Sequence, residues 1–231
     1  MEIVLRNKYS EETSSIYLEA GAITSLQSND IKTIVTNLKE DYNFAVIDNY
    51  NPFFLGITVK EEIELYTKNE YNSEFLTLLL ELLELNDKFL DRKINTLSFT
   101  DKIYLNIIRN LLLGMKHVIF VDMFKYLDYM NQKKVIFLLN YLKDKKYYII
   151  ITSIDVDDLY KNSDYSIVWY KQLIDYGKTD DVYSEVDVFI KNKVPAPTLA
   201  LITYKAKRDK NVKLFYSKDV RDIIKDIYKH V

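Results

Sequence analysis

Three apolar runs constrain the fold most: HVIFVD at 117–122, YYIIITS at 147–153 and YSIVWYK at 165–171. Each is too short for a buried helix and rich in β-branched and aromatic residues. Continuous apolarity means burial on both faces, which is the mark of strands in a parallel sheet. FAVID at 44–48 adds a further buried strand, and EIVLRN, SIYLEA and AITSL add short strands near the start. Between them lie stretches with helical periodicity: IKTIVTNLKE, VKEEIELYTK, SEFLTLLLELLEL, DKIYLNIIRNLLL and QKKVIFLLNYLKDK. Strands alternating with amphipathic helices predict an α/β protein with a mainly parallel sheet. Asp30 is the expected N-cap of the first helix, and Ser98 or Thr100 that of the helix from Asp101. Asn51-Pro52 marks a turn.

Past Ile190 the pattern changes. VPAP at 194–197 reads as a hinge, followed by two helical stretches, TLALITYKAKRD and KDVRDIIKDIYKH. The expected organisation is a main domain over 1–190, with a helical subdomain at about 60–112, and a C-terminal helical extension over 191–231.

Composition removes several classes of function. A net charge of −2 and a pI near 5.8 leave no electrostatic footprint for nucleic acid. The chain has no cysteine and two histidines, so thiolate metal sites are excluded and zinc is disfavoured. Met1 leads straight into EIVLRN without a basic-then-apolar leader, and no apolar run approaches the ~20 residues of a membrane span. The expected location is cytoplasmic. Only 4 glycines occur in 231 residues. Phosphate-binding loops rely on glycine, because backbone must approach the ligand closely at unusual torsions.

The order of the parts resembles the ATP-binding subunit of ABC transporters, up to about Ser184. EAGAITSL resembles the strand before the phosphate loop, with Lys32-Thr33 where GK[ST] would end. NPFFLGITVKEEIELY resembles the segment after the Q-loop, with Tyr50 near the glutamine position, or Asp48 or Asn49 under a shifted alignment. TLSFTD stands where LSGGQ would be, HVIFVDM matches the Walker B strand, YLD the D-loop, and IIITSID the strand leading to the switch histidine. IDYGKTDDVY resembles the closing hairpin. The tail from VPAP resembles the C-terminal extension of energy-coupling-factor (ECF) ATPases. The resemblance implies a P-loop NTPase core and two kinds of partner: a second ABC ATPase subunit, in a homo- or heterodimer, and a membrane coupling protein. It places the chain at the inner face of the membrane, and its ECF form implies micronutrient uptake.

At each motif the chemistry departs from the family. A phosphate loop needs backbone N–H groups, a lysine and a hydroxyl on magnesium. Here the loop reads LQSNDIKT, lacks both glycines and is about two residues short. Lys32 and Thr33 are either vestigial phosphate ligands or ordinary residues of a first helical turn, and the second reading is preferred because Asp30 would repel an anion. Asp122 matches the magnesium ligand, but Met123 stands where a glutamate would act as general base. Ile154 replaces the switch histidine. In the signature, Ser98 survives while Phe99, Thr100 and Asp101 replace the glycines and glutamine, so Ser98 is expected to be a helix cap.

Substitution at every catalytic position points to a degenerate subunit for which bound Mg-ATP is doubtful. An active ATPase with unusual motifs and a free-standing interaction protein on the same scaffold are the alternatives. The expected partner surface is Tyr50, Phe53, Phe54 and Leu55, at the cleft that grips a coupling helix in ABC subunits. Phe54 is the expected anchor. The alternative packs Phe53 and Leu55 inward and leaves Phe54 covering a hinge.

Overall fold

The computed structural model describes residues 1–6, 13–48, 52–210, 214 and 218–229. Among the described residues, β1 (Glu2–Arg6) and β2 (Thr13–Tyr17) pair antiparallel. A second sheet has six strands: β3 (Ala22–Ser28), β4 (Ala45–Asp48), β5 (His117–Val121), β6 (Tyr148–Thr152), β7 (Tyr165–Tyr170) and β8 (Gln172–Lys178). Their order is β4-β5-β6-β3-β7-β8, parallel except for the β7–β8 hairpin. The strand from His117 is interior and lies beside the strand from Tyr148.

The helices are α1 (Ile31–Tyr42), α2 (Val59–Thr67), α3 (Ser73–Leu82), α4 (Phe99–Leu111), α5 (Tyr129–Asp144), α6 (Val156–Asn162), α7 (Thr179–Ser184), α8 (Val186–Asn192), α9 (Thr198–Lys210) and α10 (Val220–Tyr228). Helices α1 and α5 pack on opposite faces of the sheet. Ile34, Val35 and Leu38 of α1 share a cluster with Ile119, Ile150 and Ile167. Val135, Leu138 and Leu142 of α5 join Val118, Phe120 and Ile149, in a cluster that continues into α2, α3 and α4. Two-sided burial explains why β5 and β6 are apolar throughout.

The C-terminal segment packs onto the preceding elements in a third cluster. Tyr160, Tyr183, Phe189, Val194, Leu199 and Ile223 pack together. Thr198, the first residue of α9, donates from its N–H and its hydroxyl to the Asp157 carboxylate at 2.8 and 2.6 Å. The 194–197 segment is also fixed: Gln27 donates to the Pro195 carbonyl at 2.8 Å, and the Tyr183 hydroxyl donates to Gln27 at 2.9 Å. Burial pushes the Tyr183 phenol well above its ordinary value, so it stays a neutral donor.

Candidate functional site

The parallel strands β3, β5 and β6 all end at one edge of the sheet. In open α/β sheets ligands bind outside those carboxyl ends. Lys32, Thr33, Asp122, Met123 and Ile154 all belong to the segments leaving these strands, so the topology does gather them. β3 and β5 are separated by β6, which sets their ends about 10 Å apart.

The connection after β3 differs from the expectation. Leu26, Gln27 and Ser28 are strand residues, and Ile31, Lys32 and Thr33 already form the first turn of α1. Only Asn29 and Asp30 lie between. LQSNDIKT is therefore strand, a two-residue link and helix, rather than a loop. Gln27 is read as polar in sequence, yet it is buried and satisfied by Pro195 and Tyr183. Asp30 occupies the N-cap position but its carboxylate makes no cap bond; instead its N–H donates to Ser28 Oγ at 3.0 Å. Lys32 is exposed and Thr33 half-buried.

Asp122 sits just past β5 with φ +46, in the left-handed region. Its N–H donates to the Thr152 carbonyl at 3.0 Å, and its carboxylate accepts from the Ile154 N–H at 2.9 Å. It splices the ends of β5 and β6. Met123 turns into the core and is 1% exposed, packed with Phe124 and Leu127. Ile154 projects outward at 70% exposure. Asp128 caps α5, and the Asn131 backbone N–H at 2.9 Å holds its carboxyl below the usual carboxylate range.

The Leu97–Asp101 stretch is a helix start. Ser98 Oγ accepts from the Asp101 N–H at 3.1 Å, and Asp101 accepts from the Ser98 N–H at 3.2 Å. This reciprocal capping box also binds Arg92 Nη1 at 2.9 Å. Thr100 is half-buried in the first turn, and exposed Phe99 meets Tyr126 edge-on at 5.4 Å.

Whether these groups fit Mg-ATP can be tested on their geometry. A two-residue link cannot wrap a phosphate with successive N–H groups. One oxygen of the Asp122 carboxylate accepts from the Ile154 N–H, and Met123 is buried in the core. Thr152 Oγ1 is buried without a protein partner among the described residues, but one hydroxyl does not hold a triphosphate. The residues present do not make a nucleotide cradle.

The second region is the segment before α2. Tyr50 lies outside the described residues. From Pro52 to Ile57 exposure alternates: Phe53, at 76%, and Leu55 and Ile57 point outward, while Phe54 packs inward. Phe54, the expected anchor, is thus the residue that packs inward, and the alternative that turned Phe53 and Leu55 inward is reversed, while Phe53 and Leu55 lie exposed within the expected partner surface. The cause is a buried polar network that the sequence reading missed. Glu62 Oε2 accepts from the N–H groups of Leu55 and Gly56 at 2.7 and 2.8 Å. Glu61 Oε2 accepts from those of Ile57 and Thr58 at 2.9 and 3.1 Å. Arg109 pairs with Glu62 and donates to the Phe53 carbonyl at 2.8 Å. Its guanidinium lies 4.6 Å from the Phe54 ring centre and 4.5 Å from that of Tyr66. A groove of about 790 Å³ opens between this segment and residues 94–103.

No family model matches the chain, and no curated protein matches it. Solved structures do. An ATP-binding subunit of an ABC transporter superposes with TM-score 0.68 at 16% identity, covering 83% of this chain and 98% of the other. The cbiO1 protein of Clostridium perfringens, part of the ABC transporter complex cbiONQ, gives 0.64 at 16% identity, over 88% and 96%. The dimeric structure of the bacterial ABC transporter cassette MJ0796 gives 0.58 at 14%, over 77% and 96%. The chain therefore has the ABC ATPase fold, a P-loop-type α/β core with a mostly parallel sheet. No helix among the described residues is long and apolar enough to cross a membrane.

Proposed function

We propose that this chain is a non-catalytic ABC-type subunit that works as a structural or regulatory partner in a transporter. It pairs with a second ABC ATPase subunit and engages a membrane coupling protein at the inner membrane face. One observation carries the reading: β3 passes to α1 through Asn29 and Asp30 alone, so the phosphate loop that gives this fold its activity has no room to form. The core packing that carries the fold is complete beside it. Met123 in place of a general base would by itself cost about 10²–10⁴ in rate.

The ECF-like setting is part of the same proposal. It is supported by the packed extension from Val194 onward and by the likeness to a cbiONQ component. The outward row of Phe53, Leu55 and Ile57 beside the groove is the surface proposed for the membrane partner.

Co-purification from the native host, with identification of the bound proteins, tests this. The expected companions are an ABC ATPase with intact motifs and a polytopic membrane protein. Recovery of the chain with neither would favour a free-standing interaction protein.

A further inference from the structure

A cavity of about 350 Å³ lies at the amino ends of β5 and β6, at the edge of the sheet opposite Asp122 and Met123. Lys116, which precedes β5, and Tyr147, which precedes β6, meet Phe75 and Leu78 of α3 and Tyr141 and Lys145 of α5 around it. Tyr147 is 8% exposed, and its ring belongs to the core. Yet its hydroxyl makes no hydrogen bond among the described residues. Thr152 Oγ1 is the one fully buried side-chain polar atom among them without a partner. The little access left to Tyr147 therefore includes its hydroxyl, which opens on the cavity it lines. A tyrosine buried to this extent normally bonds its hydroxyl to a neighbour. Burial raises this phenol above its ordinary value, with Tyr141 adding to the shift, so it stands ready as a neutral donor.

The other polar groups around the cavity are mostly donors as well. The Lys116 and Lys145 ammonium groups lie 5.7 and 5.6 Å from the ring centres of Tyr147 and Tyr141. Neither makes a hydrogen bond or an ion pair among the described residues. Asn72 spends its side-chain oxygen on the Phe75 N–H at 2.9 Å, which leaves its NH2 as a further donor. Glu74 is the one acid in the described lining, and it is exposed. Two cations against one carboxylate leave a single positive charge. Inorganic phosphate would leave the aromatic walls uncovered, and an uncharged aromatic molecule would leave the donors unanswered. From this arrangement we infer that the cavity binds a small aryl carboxylate. Its ring lies between α3 and α5 against Phe75, Tyr141 and Tyr147, and its carboxylate accepts from the Tyr147 hydroxyl and the two lysines. Such a ligand joins α3 to α5, and its site stands apart from the docking role proposed above.

Isothermal titration of the intact chain with indole-3-acetate tests this. The expected dissociation constant is about 0.1–1 mM, in keeping with a ligand of this size. Indole-3-acetamide should bind about tenfold more weakly, because it loses the charge-assisted contacts. Tyr147→Phe keeps the wall and removes only the unpartnered hydroxyl. It should leave the melting temperature of the free chain unchanged and weaken binding of the acid about tenfold. The Lys116→Gln, Lys145→Gln double variant should abolish the difference between acid and amide. Equal binding of acid and amide by the unaltered chain would overturn the carboxylate. Tighter binding of L-tryptophan than of the acid would do the same, because Glu74 would then be pairing an ammonium. Unchanged affinity in Tyr147→Phe would place the ligand elsewhere. A lowered melting temperature in that variant would show a hydroxyl already bonded within the protein and remove the ground for the site. No saturable heat with the acid up to ~10 mM would overturn the site outright.

Discussion

Arg109 and Glu62 form an ion pair inside the protein, 7% and 2% exposed, with the guanidinium stacked between Phe54 and Tyr66. Asn106 accepts from Arg109 Nε at 3.1 Å and donates to the Asp48 carbonyl at 2.9 Å. The pair thus ties α2, α4, the end of β4 and the segment at Phe53 into one unit. Breaking it by Arg109→Met or Glu62→Gln leaves one buried group unpaired, and should cost about 3–5 kcal/mol. Urea unfolding measures this. The double variant Arg109→Met, Glu62→Gln should cost much less than the sum of the two single changes. A single-variant cost below about 1 kcal/mol would mean the pair is solvated rather than buried.

Gly56 carries a separate prediction. A Cβ added there would lie 2.5 Å from the Glu62 nitrogen and 2.8 Å from its Cα, both backbone atoms that cannot step aside. Gly56→Ala should therefore destabilise by about 1–3 kcal/mol and splay the 52–57 segment off α2. Gly114→Ala is the contrast. Nothing lies within 4 Å of its added Cβ, and only its φ of +73 opposes the change, so the cost should be about 1 kcal/mol. Thermal unfolding of the two variants should rank them in that order.

Met123→Glu restores on paper the residue that would activate water. Because Met123 faces the core, the carboxylate would be buried without a partner. The expected outcome is a loss of about 3 kcal/mol or more and no phosphate release above background. A folded variant with measurable turnover would show that the position faces the sheet edge after all.

Ser98→Ala should cost about 1 kcal/mol through the lost helix cap. Its effect on stability should be unchanged by added Mg-ATP, since the hydroxyl is occupied by the Asp101 N–H. Nucleotide-dependent stability confined to the unaltered chain would return Ser98 to a ligand-binding role.

The sheet was legible in sequence because β5, β6 and β7 bury both faces and so carry unbroken apolar runs. The Ser98 cap was legible because its partner Asp101 is three residues away. Gln27 was not, because what satisfies it lies at Tyr183 and Pro195, far along the chain. Nothing local marks a buried glutamine as strand. The Glu62–Arg109 pair spans 47 residues and was equally hidden. One signal was present: Asn106, Arg109 and Asn110 lie on the otherwise apolar, buried side of α4, where polar groups need partners. The facing of Phe53 and Phe54 followed from that pair, since Glu62 draws the 55–56 amides inward and alternation sets the rest.

The central claim is that the fold persists without its nucleotide site. Isothermal titration of the full chain with Mg-ATP tests it most directly. The account predicts a dissociation constant weaker than ~1 mM, because the Ser28–Ile31 link offers an anion almost none of the N–H donors a phosphate loop supplies. Saturable binding at micromolar concentration, lost in Lys32→Ala or Asp122→Asn, would contradict it.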